Sequence, residues 1–245
     1  MIALIDGDSL LYKVGFALED SIDWDCDDNY IHYSNLDKQK ESIIKYLEAI
    51  TKATGSDSCE LWLTGSNNFR EKNPLGYKEH RHKLRKPTDF NELKLWLSKN
   101  PRCYVAEGME ADDIVVYLKD SNYDKYMLCA MDKDVIYQTE GTHYNYDKGT
   151  YITVTKEEAI WFAYYQTLVG DVTDGYKGCP SIGDTRARKL IGDIYDEPTL
   201  WKIVVDTYIS KGLTEEDAIN TMRLANMKQY NGKEIILWEP TFTSN

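Results

Sequence analysis

The chain reads as an α/β protein built on a mostly parallel sheet, and three observations predict it. Short apolar runs at 2–5 (IALI), 59–63 (CELWL), 102–106 (RCYVA) and 125–130 (KYMLCA) have strand length. Helical patterns lie between them, and strands alternating with helices build parallel sheets. Acidic clusters follow several of the strands, where an open parallel sheet keeps its ligand-binding edge.

Taken in order, Ile2-Ala-Leu-Ile5 ends in Asp6-Gly7-Asp8, a buried strand stopping at a loop. In 37–53 the residues Ile43, Ile44, Leu47 and Ile50 share one helix face. The segment 89–99 starts at Asp89, a cap candidate, and carries Leu93, Trp96 and Leu97. Residues 111–119 repeat the pattern with Ile114, Val115 and Leu118. Beyond about residue 155 the pattern turns helical: KEEAIWFAYYQTLVG, then 185–191, 197–210 and 214–228. Thr214 is followed by three acids, as a helix start prefers. GKEIILWEP at 232–240 is expected to be extended and packed on the body.

A chain of 245 residues can bury an adequate core as one large domain or two small ones, and its 42% apolar content is ordinary for a soluble protein. No run is long and apolar enough to span a membrane, and the N-terminal MIALIDGDSLLYK lacks the basic stretch of a secretory signal. Five scattered cysteines without a C-x-x-C predict reduced, mostly buried thiols in a cytoplasmic setting. His32, His80, His82 and His143 share no ligand spacing with cysteine and are expected at the surface or facing a nucleic acid. None of the six tryptophans stands out from packing.

The carboxylates carry the chemistry. Asp6 and Asp8 follow the first strand; Glu110, Asp112 and Asp113 follow the strand at 102–106; Asp132 and Asp134 follow the strand at 125–130. On one sheet edge these would meet, and two carboxylates about 4 Å apart cost on the order of 4 kcal/mol at an effective dielectric of about 20. Such a group must hold protons or cations. Oxygen ligands without a His or Cys cluster favour Mg²⁺ or Mn²⁺, and two such ions suit phosphodiester hydrolysis. Helix capping would account for Asp8 and Asp113 as well as ligation does.

Net charge is −12, yet Arg70 to Lys86 carries seven basic residues against two acids. This local potential suits a phosphate backbone better than the total suggests. Arg70, Lys83 and Lys86 are candidate phosphate contacts there, and Tyr77 a candidate base-stacking ring. The stretch 170–192, GDVTDGYKGCPSIGDTRARKLIG, joins Asp171 and Asp174 to a glycine-rich turn (Gly178, Ser181, Ile182, Gly183) opening a basic helix with Arg186, Arg188 and Lys189. Carboxylates three apart suit a divalent ion, and the turn suits phosphates.

With these pieces in order, the chain resembles the flap endonuclease/5′→3′ exonuclease superfamily, and most of all its short bacteriophage members. The matching pieces are IDGD at 5–8, YKEHR at 77–81, EADD at 110–113, MDKD at 131–134, GDVTDGYKGCPSIG at 170–183 and the tail from 213. The resemblance implies a PIN-like nuclease domain over 1–155 with a basic helical arch at about 68–90. It implies a helical region over 156–245, packed on that domain, with a helix–two-turn–helix module at about 170–192. Asp6, Glu110 and Asp112 would hold one Mg²⁺, with Asp113 beside them. Asp132, Asp134 and Asp171 would hold a second, with Asp112 bridging, Asp174 supporting and Mn²⁺ able to substitute. Lys78 and Arg81 would contact the scissile phosphate, and the Gly178–Gly183 turn would grip duplex phosphates, often in this family around K⁺.

The implied reaction is hydrolysis of DNA with a 5′ end, nick or flap by a monomer in a phage-infected cytoplasm, during replication or recombination. RNA of RNA–DNA hybrids is a further substrate of the family. One position departs from the pattern: Thr64-Gly65 stand after the second strand, where the family usually has an acid. The first ion would then lean on water or Asp8. Two alternatives follow, a catalytically weakened structure-specific DNA-binding protein and a PIN-like ribonuclease.

Overall fold

Residues 1–23, 29–80 and 84–241 are described by a computed structural model. The chain opens with β1 (Ile2–Asp6), α1 (Gly7–Ala17), the hairpin β2 (Glu19–Asp23) and β3 (Tyr30–Ser34), α2 (Leu36–Thr54) and β4 (Ser58–Thr64). Then come α3 (Phe90–Ser98), β5 (Cys103–Ala106), α4 (Ala111–Ser121), β6 (Tyr126–Cys129), α5 (Lys133–Ile136), β7 (Gly141–Asn145) and β8 (Thr150–Val154). The helical end has α6 (Lys156–Val169), a small ladder of β9 (Gly170–Asp171) with β10 (Tyr176–Lys177), α7 (Asp184–Ile191), α8 (Glu197–Ser210) and α9 (Glu215–Ala225).

The main sheet runs β5-β4-β1-β6-β7-β8, parallel except for the antiparallel β8 at its edge. The four expected strands are its first four members, which confirms the α/β reading. Strand β1 lies at the centre, and its alternation supplies both faces. Ala3 and Ile5 pack with Leu61, Leu10, Ile43 and Leu93 under α1, α2 and α3. Leu4 packs on the other side with Val115, Leu128 and Val135. Covering both faces explains why these strands are apolar runs rather than half-polar stripes.

Local chemistry sets the helix ends. Gly55, in the left-handed region at φ 62°, closes α2, with its N–H on the Lys52 carbonyl and that of Ser56 on Thr51. Reciprocal capping boxes open α6 (Thr155 with Glu158) and α9 (Thr214 with Asp217). Asp89 departs from expectation: it adopts φ 60° and makes no cap bond to α3, accepting instead from Ser34 Oγ at 2.5 Å. The helical end has its own apolar cluster, including Leu168, Ile191, Val204, Tyr208 and Met222. It is tied to the sheet half where Gln138 Nε2 donates to the Ala225 carbonyl at 2.7 Å.

Two sequence expectations change here and one holds. Among the described residues of 68–89 there is a 3-10 turn at Phe69–Lys72 and no α-helix, because Pro74, Gly76 (φ 76°) and Lys78 (φ 53°) interrupt helical geometry. The tail at 232–240 packs on the body as expected, Ile235 against Met109 and Ile114 and Trp238 on Trp201, with a single bridge of Tyr230 with Ile235. His143, expected at the surface, is fully buried with Nε2 on the Thr139 carbonyl at 2.8 Å. Of the cysteines, Cys59, Cys103, Cys129 and Cys179 are unpaired, and all but Cys59 are buried. No helix among the described residues is long and apolar enough to cross a membrane.

Candidate active site

The carboxyl ends of β1, β4, β5 and β6 form one edge, and the acids gather along it. Asp6, the last residue of β1, caps α1 by accepting from the Asp8 and Ser9 amides at 3.0 and 3.3 Å and from the Ser9 hydroxyl. Burial, then the nearby Asp8 charge, pushes its carboxyl up to about 7. Asp112, in the first turn of α4, is raised well above the carboxylate range by burial and by Asp6, Glu110 and Asp132. These acids stand close enough to oppose one another's ionisation.

Glu110 caps the start of α4 and is 8% exposed. Its Oε1 accepts from Lys78 Nζ at 2.6 Å and its Oε2 from the Tyr77 hydroxyl at 2.6 Å. Burial would raise this carboxyl, but the Lys78 and Arg70 cations overcome it and hold it below its usual value. The same two side chains reach Asp174, Lys78 at 3.4 Å and the Tyr77 hydroxyl at 3.0 Å, and the Lys78 amide donates to the Asp174 carbonyl at 2.8 Å. Residues 77–78 therefore join the sheet edge to the loop between β9 and β10.

The other acids form a second group. Asp132 caps α5 by accepting from the Asp134 amide at 2.8 Å. Asp134, 9% exposed, is pushed up to about 7 by burial and by Asp132, and its carboxyl shares a hydrogen bond with Asp171. Asp171 is held below its usual value: burial opposes this, but the Asp134 bond and the amides of Asp174 and Thr173 prevail. The two neighbouring carboxyls are thus driven apart, Asp134 upward and Asp171 downward. Asp134 and Asp171, distant in sequence, lie side by side here.

Their side chains do not form ready-made cages. Among the described residues no group of three or more His, Cys, Asp or Glu side chains is placed to hold one ion as it stands. Two of the carboxylates turn toward donors instead, Glu110 to Lys78 and Asp6 to Ser9. The donor set still fits a hard divalent cation: it is all oxygen, and two of its members are lifted to about 7 by burial and by a neighbouring carboxylate. The Tyr146 hydroxyl is buried without a hydrogen-bond partner, and Asp6 and Asp112 are among the charges acting on it. A metal-bound water would give that hydroxyl a partner.

Several candidate residues take other roles. Asp113 is 1% exposed and meets Arg70, 2% exposed, in a bidentate pair at 2.6 and 2.7 Å, so one is no metal ligand and the other no DNA contact. Arg70 also donates to the Leu224 and Asn226 carbonyls, holding α9 against the sheet half. Tyr77 is 5% exposed, and its ring cannot stack on a base. Lys86 is exposed, whereas Arg81 and Lys83 lie outside the described residues. Arg85 turns to Glu19, so part of the basic stretch is neutralised internally.

In the turn, Ile182 belongs to the apolar cluster and does not face DNA. Gly178 is required by close approach, since a Cβ there would lie 2.3 Å from the Gly170 nitrogen. Ser181 (φ 63°) and Gly183, which opens α7, are exposed, as are Arg186, Arg188 and Lys189. Arg186 donates to the Ser181 carbonyl at 2.9 Å, and Arg188 Nε to Asp184 at 2.7 Å.

Thr64 accounts for the departure from the family pattern. Its hydroxyl accepts from the Ala111 amide at 3.0 Å, capping α4, and its amide donates to Asp8 at 2.7 Å. Lys94 lies 3.4 Å from the other Asp8 oxygen, so Asp8 fastens the start of α1 to the end of β4 and to α3 and is already engaged. Sequence reasoning missed Ser9, the Thr64 cap and Tyr146. A hydroxyl three residues after Asp6 was the available signal for Ser9; nothing in sequence marks Tyr146.

No family model matches the chain. It is 28% identical to an exonuclease of Escherichia phage T7 over an alignment of 284 positions, covering 98% of this chain and 93% of that protein. An exodeoxyribonuclease of Enterobacteria phage T3 matches at the same identity and coverage. Among solved structures, the T5 D15 protein crystallised with metal ions superposes with a TM-score of 0.68 at 16% identity, covering 94% of this chain and 90% of that one. A bacteriophage T5 D15 flap endonuclease complex with DNA and metal ions gives 0.69 at 14% identity, with the same coverage. The structural likeness shows the fold, and the resemblance read from the motifs is borne out over nearly the full length.

Proposed function

We propose that this chain, a relative of the flap endonuclease/5′→3′ exonuclease superfamily, is a divalent-metal-dependent 5′ nuclease acting on duplex or flapped DNA. It would serve phage DNA replication or recombination. The observation that carries this reading is Lys78, whose ammonium stands between Glu110 and Asp174 at 2.6 and 3.4 Å. A cation from the basic stretch reaches acids of both the sheet edge and the β9–β10 loop, where a scissile phosphate would sit.

Asp6, Glu110 and Asp112 would hold one ion; Asp132, Asp134 and Asp171 a second, with Asp174 supporting. Mg²⁺ fits this oxygen set, and Mn²⁺ would substitute. Bound there, the ions would lower the pKa of water and neutralise charge on the phosphate. Lys78, freed from Glu110 as positive charge arrives, would turn to the phosphate and stabilise its developing charge. The amides of Ser181 and Gly183, with Arg186, Arg188 and Lys189, would grip the duplex backbone, with K⁺ in the turn. A monomer in the host cytoplasm accepting RNA–DNA hybrids as well as DNA completes the reading.

A time course on end-labelled 5′-flap, nicked and blunt duplexes, and on a hybrid, with and without Mg²⁺ tests it. Products released from the 5′ end only with metal are expected. Unchanged turnover in excess chelator would overturn the reading, and metal-independent binding without any cutting would favour the DNA-binding alternative.

A further inference from the structure

Among the described residues, the buried side chains with an unpartnered polar atom are Asp23, Gln39, His143 and Tyr146. Tyr146 is the one of these at the acid-bearing edge. It follows β7, whose Tyr144 pairs with Cys129 of β6, and Cys129 pairs in turn with Ile5 of β1. The three strands run parallel, so Tyr146 lies on the edge where Asp6 ends β1 and Asp132 follows β6. Its ring packs in the apolar cluster of Ile5, Leu11 and Cys129, and the residue is 7% exposed. Asp6 and Asp112 are near enough for their charges to act on its hydroxyl.

The backbone around this ring is fixed. Asn145 Nδ2 donates to the Met131 carbonyl at 3.3 Å, and Asn145 Oδ1 accepts from the Asp147 and Lys148 amides at 3.1 and 2.9 Å. Lys13 of α1 pairs with the Asp147 carboxylate. Tyr146 is thus held from both sides while the hydroxyl at its tip has no partner. A buried hydroxyl in that condition costs stability, and a phenylalanine would fill the same cluster without the cost. Packing explains the ring and leaves the hydroxyl unexplained.

The acids of the first ion are where oxygen is short. Thr64 and Gly65 carry no carboxylate, and Asp8 is engaged by the Thr64 amide and by Lys94. A hard divalent cation held by few carboxylates keeps waters in its shell, and groups outside the shell orient what lies within it. A phenol oxygen can accept from such a water. We infer that Tyr146 is a positioning residue, whose hydroxyl accepts a hydrogen bond from a water carried by the cation beside Asp6 and Asp112. The inference rests on the nuclease reading above and gives the hydroxyl a use only when metal is bound.

The test uses the full-length protein, in calorimetry with Mg²⁺ and no DNA, and in urea unfolding with chelator. Tyr146→Phe should weaken Mg²⁺ binding about tenfold, as the loss of an outer-shell partner does. Its urea midpoint in chelator should equal or exceed that of wild type. Tyr144→Phe, altering a ring packed against the same cluster, should leave Mg²⁺ affinity unchanged. Unaltered affinity in Tyr146→Phe, or an equal loss in Tyr144→Phe, would overturn the inference. So would a Tyr146→Phe protein that unfolds at lower urea or does not fold, because the hydroxyl would then be structural. Wild-type protein that bound no Mg²⁺ would overturn the metal-dependent reading, and this inference with it.

Discussion

Arg70 and Asp113 face each other inside the protein, two guanidinium nitrogens on two carboxylate oxygens at 2.6 and 2.7 Å. Removing one partner leaves a buried charge unpaired, which costs about 3–5 kcal/mol. Asp113→Ala should lower unfolding free energy in urea by that amount. Arg70→Met should do likewise, yet leave the salt dependence of DNA binding unaltered, because Arg70 touches no phosphate.

Lys78 should show opposite effects on metal and on turnover. Its ammonium competes with a cation for Glu110 and Asp174, so Lys78→Ala should bind Mg²⁺ more tightly in calorimetry without DNA. The same change removes a donor from the developing phosphate charge and should lower kcat by about 10²–10³-fold. Weaker metal binding in the variant would contradict the competition.

Asp6 and Asp134 sit at about 7 and share neutral pH with their protonated forms. Cation binding favours the ionised carboxylates and must expel protons. Heats of Mg²⁺ binding at pH 6.5 should therefore vary with the ionisation enthalpy of the buffer. At pH 9 that variation should vanish.

His143 is depressed to about 4, chiefly by burial. The unfolded chain takes up this proton near pH 6.5, the folded chain only near 4, so the stabilisation is complete above 6.5 and declines as pH falls between the two. The full loss is roughly 3 kcal/mol. His143→Gln should flatten that part of the curve of urea midpoint against pH, compared with wild type.

Gly178 and Gly170 touch backbone to backbone, and a methyl on Gly178 would also meet the Leu168 carbonyl at 2.4 Å. Backbone cannot yield as a side chain does. Gly178→Ala should cost about 3 kcal/mol or more, above ordinary overpacking. Thermal unfolding measures the loss; a melting temperature within a degree of wild type would refute it.

Much of this architecture was legible in the chain. The four leading strands were visible because strands buried on both faces are apolar throughout, and α8 was visible because Asp196 and Pro198 mark its start. The hairpin β2–β3 was not, since it is largely exposed, and β7 was not, since its buried face carries Gly141, His143 and Asn145 rather than apolar residues. At the site, the strand-end acids could be found by position, but their division of labour could not. A carboxylate that caps a helix, one that pairs with a buried arginine and one that faces an ion look alike in sequence. Asp8, Asp113 and Asp134 are separated only by the partners that tertiary structure brings. Ile182 and Tyr77 sat within apparent DNA-facing motifs and are buried, because a motif does not say which of its residues turn inward.

The contact of Gly170 with Gly178, reinforced by the Cys179 amide on the Leu168 carbonyl at 2.9 Å, closes residues 170–178 into a loop anchored on α6. Asp171 and Asp174 therefore travel with the helical end, while Asp6, Glu110 and Asp134 travel with the sheet. The acid set is whole only while the two halves stay docked. If these acids serve the nuclease proposed above, loosening α6 from the sheet would separate them, and a partly folded chain would not cut.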